Sequence, residues 1–395
     1  MKMKTLNNAL PFTGKRSVFL FLLALGIVLR YCVMLIGHNY DFESYIVVGD
    51  IASQFGNVYA RTVRYNYGPL FSCVVGLFYA VAKNLPHPIF FYRVFIVGLL
   101  TCADAGISLF IHKRRGSAAA MLFFLNPVSI IITGYHNQFD NIAVFIALAA
   151  IQYYNAENKF VKKDILFIAL MSLSLITKHI VVFFFFWLLL KKELPLKKRC
   201  AFVVIPAVLF LLSFLPFFRG AGREGIINNV FLYRSFNNMP LLQPLIWLVH
   251  QVGWLINRRG GRFYFPLFVC LICAAGYIFR KKDAETSLLL YFVCLIAFSS
   301  AVANQYLAIP LASIFILTKY SRLVYVFFMG IYLAIEADGL HIPLILLKLK
   351  PNGNLESIYM SALSYIRQGA YSLACFILFL VIAVYATTKT VREIL

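Results

Sequence analysis

Tyr40-Asp41-Phe42-Glu43-Ser44-Tyr45 sets two carboxylates one residue apart, just past an apolar run of roughly twenty residues, enough to cross a bilayer. A carboxylate in that position can take the proton of an attacking hydroxyl as a general base. The plainer alternative is a solvated loop start. A second group, His136-Asn137-Gln138-Phe139-Asp140, ends another apolar run and holds more polar chemistry than a turn requires. Its plainer alternative is a helix cap supplied by Asn137 and Asp140. A third set is cationic: Arg30, Arg61, Arg64, Lys178, His179, Arg219, Arg223 and Arg234 fall near the same face. Snorkelling to lipid headgroups accounts for several of these, and forked recognition of a phosphate is the sharper use. Carboxylates and cations converging on one face suit transfer of a group from a lipid phosphate. One carboxylate would activate the acceptor while cations stabilise the departing phosphate.

The elements that must position these residues are membrane helices. Of 395 residues 62% are hydrophobic and 13% charged, against roughly 25% charged in ordinary soluble domains. The net charge of +22 comes from 37 Lys and Arg against 15 Asp and Glu. Those bases lie between apolar runs, at Lys15-Arg16, Lys113-Arg114-Arg115, Lys159 with Lys162 and Lys163, Lys191-Lys192, Lys197-Lys198-Arg199 and Arg280-Lys281-Lys282. That is the positive-inside pattern, so the charge sets orientation and implies no nucleic-acid partner. The eight cysteines sit mostly inside apolar runs, which argues against a secreted disulfide framework. Cys270 and Cys273 have C-x-x-C spacing within the run 263–279, where small polarizable core residues are expected rather than a metal site.

The basic flank before residue 18 keeps the N-terminus cytoplasmic and makes the first span, 17–36, an uncleaved signal anchor. A long first external loop, 37–88, follows, with its apolar piece 68–81 too short to span and flanked by prolines, hence interfacial or re-entrant. Further spans are expected at 89–111, 118–133, 141–154, 165–177, 180–190, 201–215, 263–279, 288–303, 307–318, 324–335 and 373–386. Segment 241–256 either spans or lies on the outer face; the second placement keeps the 280–282 bases inside and is preferred. The expected fold is all-α: a single polytopic membrane domain of about eleven transmembrane helices, both termini cytoplasmic. Asp104 is the one acid expected in mid-span, whereas Asp41, Glu43, His136 and Asp140 fall at outer ends.

At these residues the sequence resembles the GT-C superfamily of polyprenyl-phosphate-sugar-dependent glycosyltransferases. Asp41-Phe42-Glu43 and the stretch Tyr59-Ala60-Arg61-Thr62-Val63-Arg64-Tyr65-Asn66-Tyr67-Gly68-Pro69-Leu70 are similar to the first-loop pattern of the first GPI mannosyltransferases. That pattern is D-x-D followed by an aromatic stretch and R-Y-x-Y/T-P-L, and Glu43 departs from it. Asn304-Gln305-Tyr306 before Pro310 is similar to that family's late Q-Y-x-x-W-Y-x-x-x-L-P element without its Trp. The dolichyl-phosphate-glucose-dependent glucosyltransferases show H-F-Q-Y-N, F-K-Q and P-F-x-R-G in the same order as His136 to Asp140, Thr177-Lys178-His179 and Pro216 to Gly220.

The resemblance implies a GT-C-like fold and inverting transfer of a hexose, mannose foremost, at the non-cytoplasmic face. The donor is a polyprenyl-phosphate-linked sugar, and the acceptor a glycan, glycolipid or protein among membrane lipids. It makes Asp41 the catalytic base or an acceptor-binding carboxylate, Glu43 its partner and Arg219 a donor-phosphate contact, with Lys178, His179, His136, Gln138, Asp140, Arg64 and Gln305 as further donor phosphate or sugar contacts. No cofactor is expected, although Glu43 leaves a divalent metal at Asp41/Glu43 open. Compact loops favour a bacterial plasma membrane over the endoplasmic reticulum. The alternative is a polytopic transporter or lipid-linked sugar flippase, which would put acids on a central cavity.

Overall fold

The computed structural model describes residues 16–233, 240–241, 261–299, 301–336 and 354–394. Arg234 and segment 242–256 lie outside the described residues. Among those described every regular element is helical. The helices begin where the sequence supplies starts. Asn39 caps α2 (Tyr40–Ser53) by accepting from the Asp41 N–H, and Asn57 caps α3 (Val58–Arg61) by accepting from Tyr59 and Ala60. Proline opens α4 (Pro69–Ala82) and α5 (Pro88–Arg115), where its missing N–H costs nothing.

Helix α1 (Arg16–Ile36) contains the first apolar run, and α5 the second. The third run breaks at Asn126-Pro127 into α6 (Ser117–Phe124) and α7 (Pro127–Ile131), bent by 45° and ending in a wide turn, Ile132–His136. Then come α8 (Asp140–Ile151), α9 (Lys162–Thr177), α10 (Phe184–Leu189), α11 (Leu196–Leu212) and α12 (Ala221–Ile226). The second half holds α13 (Gly261–Ile278), α14 (Ala284–Ala297), α15 (Ala308–Leu317), α16 (Ser321–Glu336) and α17 (Asn354–Ile394).

Among the described residues four helices are long and apolar enough to cross a membrane: Val18–Ile36, Pro88–Arg115, Leu196–Phe217 and Ser364–Thr387. Two bent pairs raise the number to six, the second being Lys162–Thr177 with His179–Leu189, which fold back at 116° around Lys178. The expectation of about eleven spans is therefore met only as a many-helix membrane-type fold. Helices occupy the expected apolar runs, but several are shortened by breaks and fall below the length that crosses a bilayer unaided. Pro69–Ala82, expected not to span, is one of the short ones.

The large core gathers residues of α5 to α10 with α13 to α17. Across it runs a polar tie: Asp104 in α5 takes Arg30 Nε and Nη2 of α1, Ser129 and Thr133 on one oxygen and Asn141 on the other. All five residues are buried, so the charge pair is compensated where lipid and protein offer no water. A smaller aromatic cluster packs α2 on α4, with Phe42, Tyr45, Phe71 and Phe139 at its centre; the Phe71 and Phe139 rings stack at 3.7 Å. The candidate site lies where the two cores meet.

Candidate functional site

Two helix ends converge on Arg93 in the second turn of α5. Its guanidinium donates to the carbonyl of Met34 at 2.7 Å, to Gly37 and to Gly134, and its Nε reaches Asn137 Oδ1 at 3.0 Å. Met34 and Gly37 end α1, and Gly134 belongs to the turn that ends α7, so one cation satisfies the orphan carbonyls of two helix C-termini. Asn137 takes the left-handed conformation (φ 57°, ψ 33°), which a short amide tolerates, and its Nδ2 returns to the Thr133 and Gly134 carbonyls. That reversal aims His136 and Gln138 toward the start of α2.

Asp41 stands there, half-buried in the first turn of α2, where the helix N-terminus favours an anion. Its Oδ2 accepts from Gln138 Nε2 at 2.5 Å and from Asn39 Nδ2 at 3.0 Å. Because Asn39 Oδ1 already accepts the Asp41 N–H, it is Nδ2 that also faces His136 Nδ1, at 2.7 Å. The network thus assigns Nδ1 as an acceptor and places the imidazole proton on Nε2. Nε2–H donates to Glu336 Oε1 at 2.9 Å, an oxygen that also accepts Asn304 Nδ2.

A second pair adjoins it. Lys178, buried at the kink between α9 and the following turn, donates to Asp140 Oδ2 at 2.7 Å and sits 4.7 Å from the Tyr67 ring centre and 4.8 Å from that of Phe139. Gly68 makes this approach feasible, since a Cβ there would come within 1.9 Å of the Ile176 carbonyl oxygen. Burial, and then the charges of Asp140 and Asp41, hold the Tyr67 phenol far above its ordinary pKa, so it stays neutral and can donate. Gln138 Oε1, Asp140 Oδ1 and His179 Nδ1 are buried without a hydrogen-bond partner among the described residues. Gln138 Oε1 and Asp140 Oδ1 are acceptors, and His179 Nδ1 is an acceptor or a donor according to its tautomer, so all three can meet polar ligand atoms.

The structure therefore brings together Asp41, His136, Gln138, Asp140, Lys178 and His179 of the expected set. Gln305 is half-buried, next to Asn304. Arg64 is exposed, stacked 4.5 Å over the ring of Tyr40, at the edge of the Asp41 network. Arg219 is exposed on the turn whose Phe217 carbonyl takes Asn57 Nδ2. Glu43 is exposed on α2; two positions from Asp41 on a helix, it points to another face, so the two do not form one chelating edge. Arg30, expected with the outer cations, is instead the buried partner of Asp104. Asn39, Arg93 and Glu336 were not among the expected site residues, and Asn304 entered only through the Asn304-Gln305-Tyr306 motif. The His136–Glu336 contact joins residues 200 apart, and no local pattern carries that. No protein-family model matches this chain, and the curated proteins contain no match to it.

Proposed function

We propose that this protein is a membrane hexosyltransferase that moves a sugar, mannose foremost, from a polyprenyl-phosphate donor to a glycan, glycolipid or protein acceptor at the non-cytoplasmic face. The observation that carries the proposal is the state of Asp41. Two amide donors converge on Oδ2, which leaves the half-exposed carboxylate its Oδ1 for an acceptor hydroxyl. The hydroxyl oxygen attacks the anomeric carbon from the face opposite the phosphate, Oδ1 takes its proton, and the carbon–oxygen bond to the phosphate breaks with its electron pair. The product is inverted at that carbon, and polyprenyl phosphate departs as an anion. Arg64 and Arg219, exposed and without a carboxylate partner among the described residues, supply charge for that phosphate. Lys178 is committed to Asp140, so its part is to hold the Asp140 and Tyr67 side chains that would meet the sugar hydroxyls.

Asp104, the mid-span acid that a transporter would use, has both oxygens engaged, which favours the transferase over a flippase. Reconstituted protein given radiolabelled polyprenyl-phosphate-mannose or polyprenyl-phosphate-glucose with a membrane lipid extract is expected to release a glycosylated product with inverted anomeric configuration. A retained configuration, or sugar that crosses sealed vesicles without transfer, would overturn the proposal.

A further inference from the structure

The contacts that hold Asp41 continue to a residue from the far half of the chain. Glu336 ends α16 and is 2% exposed, and His136 is 3% exposed, too enclosed for either to meet a substrate. We propose that Glu336 is a positioning residue for Asp41, acting through His136 and Asn39; this rests on the transferase function above.

Each link admits one arrangement. Glu336 Oε1 accepts both His136 Nε2–H and Asn304 Nδ2, which fixes the imidazole tautomer. The bare Nδ1 then faces Asn39 Nδ2, and that holds the Asn39 amide in the only orientation that gives Asp41 both its N–H acceptor and its Oδ2 donor. Without Glu336 the Nδ1–H tautomer becomes accessible, donor meets donor, and the Asn39 amide must turn over. Asp41 then loses both Asn39 contacts and keeps only Gln138. An amide does not pass a proton between two acids, so the chain of contacts orients Asp41 and does not drain the proton it receives. Around His136 the groups that face it are Asn39 at the cap of α2, Tyr135 beside it, Asn304 and Glu336.

The test separates geometry from charge. Glu336→Gln keeps an oxygen acceptor for both donors, whereas Glu336→Ala removes it. In the transfer assay Glu336→Ala is expected to lower kcat by about 10- to 100-fold, the scale of a misplaced catalytic group, with the KM for polyprenyl-phosphate sugar unchanged. Glu336→Gln is expected to stay within about threefold of wild type, because the acceptor geometry survives. Asn39→Ala should cost as much as Glu336→Ala, and the double variant no more than either, since both act on one contact path. Independently of turnover, 15N spectra of histidine-labelled protein, assigned with His136→Gln, should show His136 protonated on Nε2 in wild type and Glu336→Gln, and a tautomer mixture in Glu336→Ala. Should Glu336→Ala fail to fold, Asn39→Ala and the wild-type tautomer carry the decision. Unchanged kcat in Glu336→Ala or Asn39→Ala, losses that multiply, or a wild-type Nδ1–H tautomer would overturn the proposal. If wild-type protein transfers no sugar, the enzymatic function fails, while the spectra still decide whether Glu336 fixes His136.

Discussion

Asp41 and Asp104 show how the same side chain is used in opposite ways. Asp41 is half-buried and has one oxygen held by two neutral amides. Neutral donors orient the carboxylate without pairing its charge, and its other oxygen stays open to a substrate hydroxyl. Asp104 is 2% exposed and bound to an arginine that is itself fully buried. Its charge is spent on structure. Asp104→Ala would leave Arg30 enclosed without a counter-charge, which is expected to cost about 3–5 kcal/mol of stability. Arg30→Leu with Asp104→Leu should recover most of that, because replacing both members of a buried pair removes the desolvation penalty along with the attraction. Denaturation midpoints of the single and double variants check this. A double variant no more stable than Asp104→Ala would show that the pair does more than compensate itself. The sequence marks Asp104 as a mid-span acid, but its partner stands 74 positions away and reads locally as one more outer cation.

At the scale of elements, the ends of helices matter more than their spans. Gly37, Asn39, His136 and Gln138 all lie at termini, and Arg93 draws the ends of α1 and α7 together by capping their carbonyls. A lysine has the charge but not the planar fork, and its single ammonium cannot serve the Met34, Gly37 and Gly134 carbonyls and Asn137 Oδ1 together. Arg93→Lys is therefore expected to lose at least about 3 kcal/mol of stability, on the scale of two charged-donor hydrogen bonds. It should also reduce transfer by more than its loss of folded protein explains. Activity per folded molecule equal to wild type would show that the α1 and α7 ends hold their places without it. Such a role is hidden in the sequence, where Arg93 sits within an apolar run and looks like an interfacial base. Asn precedes α2 and α3 and Pro opens α4 and α5 in the sequence, and Pro69–Ala82 is, as its length led one to expect, one of the short apolar helices. The Asn126-Pro127 break and the Lys178 kink sit inside runs that hydropathy alone treats as ordinary spans.

For the whole molecule, composition and the placement of basic runs carried the class of the fold, since 62% hydrophobic residues leave little room for another solvent. The same bases are put to structural use. Arg114 at the end of α5 grips Glu285 at the start of α14 through both its oxygens, and Lys198 pairs with buried Asp164. The joining of the N-terminal half to the second half at His136–Glu336 was beyond reach, because only the folded chain sets α7 against α16. The proposed transfer rests on Asp41, the carboxylate placed beside that junction. Sugar transfer from polyprenyl-phosphate-mannose and polyprenyl-phosphate-glucose, compared between wild type and Asp41→Asn at matched folded-protein levels, tests it most directly. Loss of a general base is expected to slow transfer by about 10²- to 10⁴-fold with donor binding retained. Transfer by Asp41→Asn at the wild-type rate would contradict it.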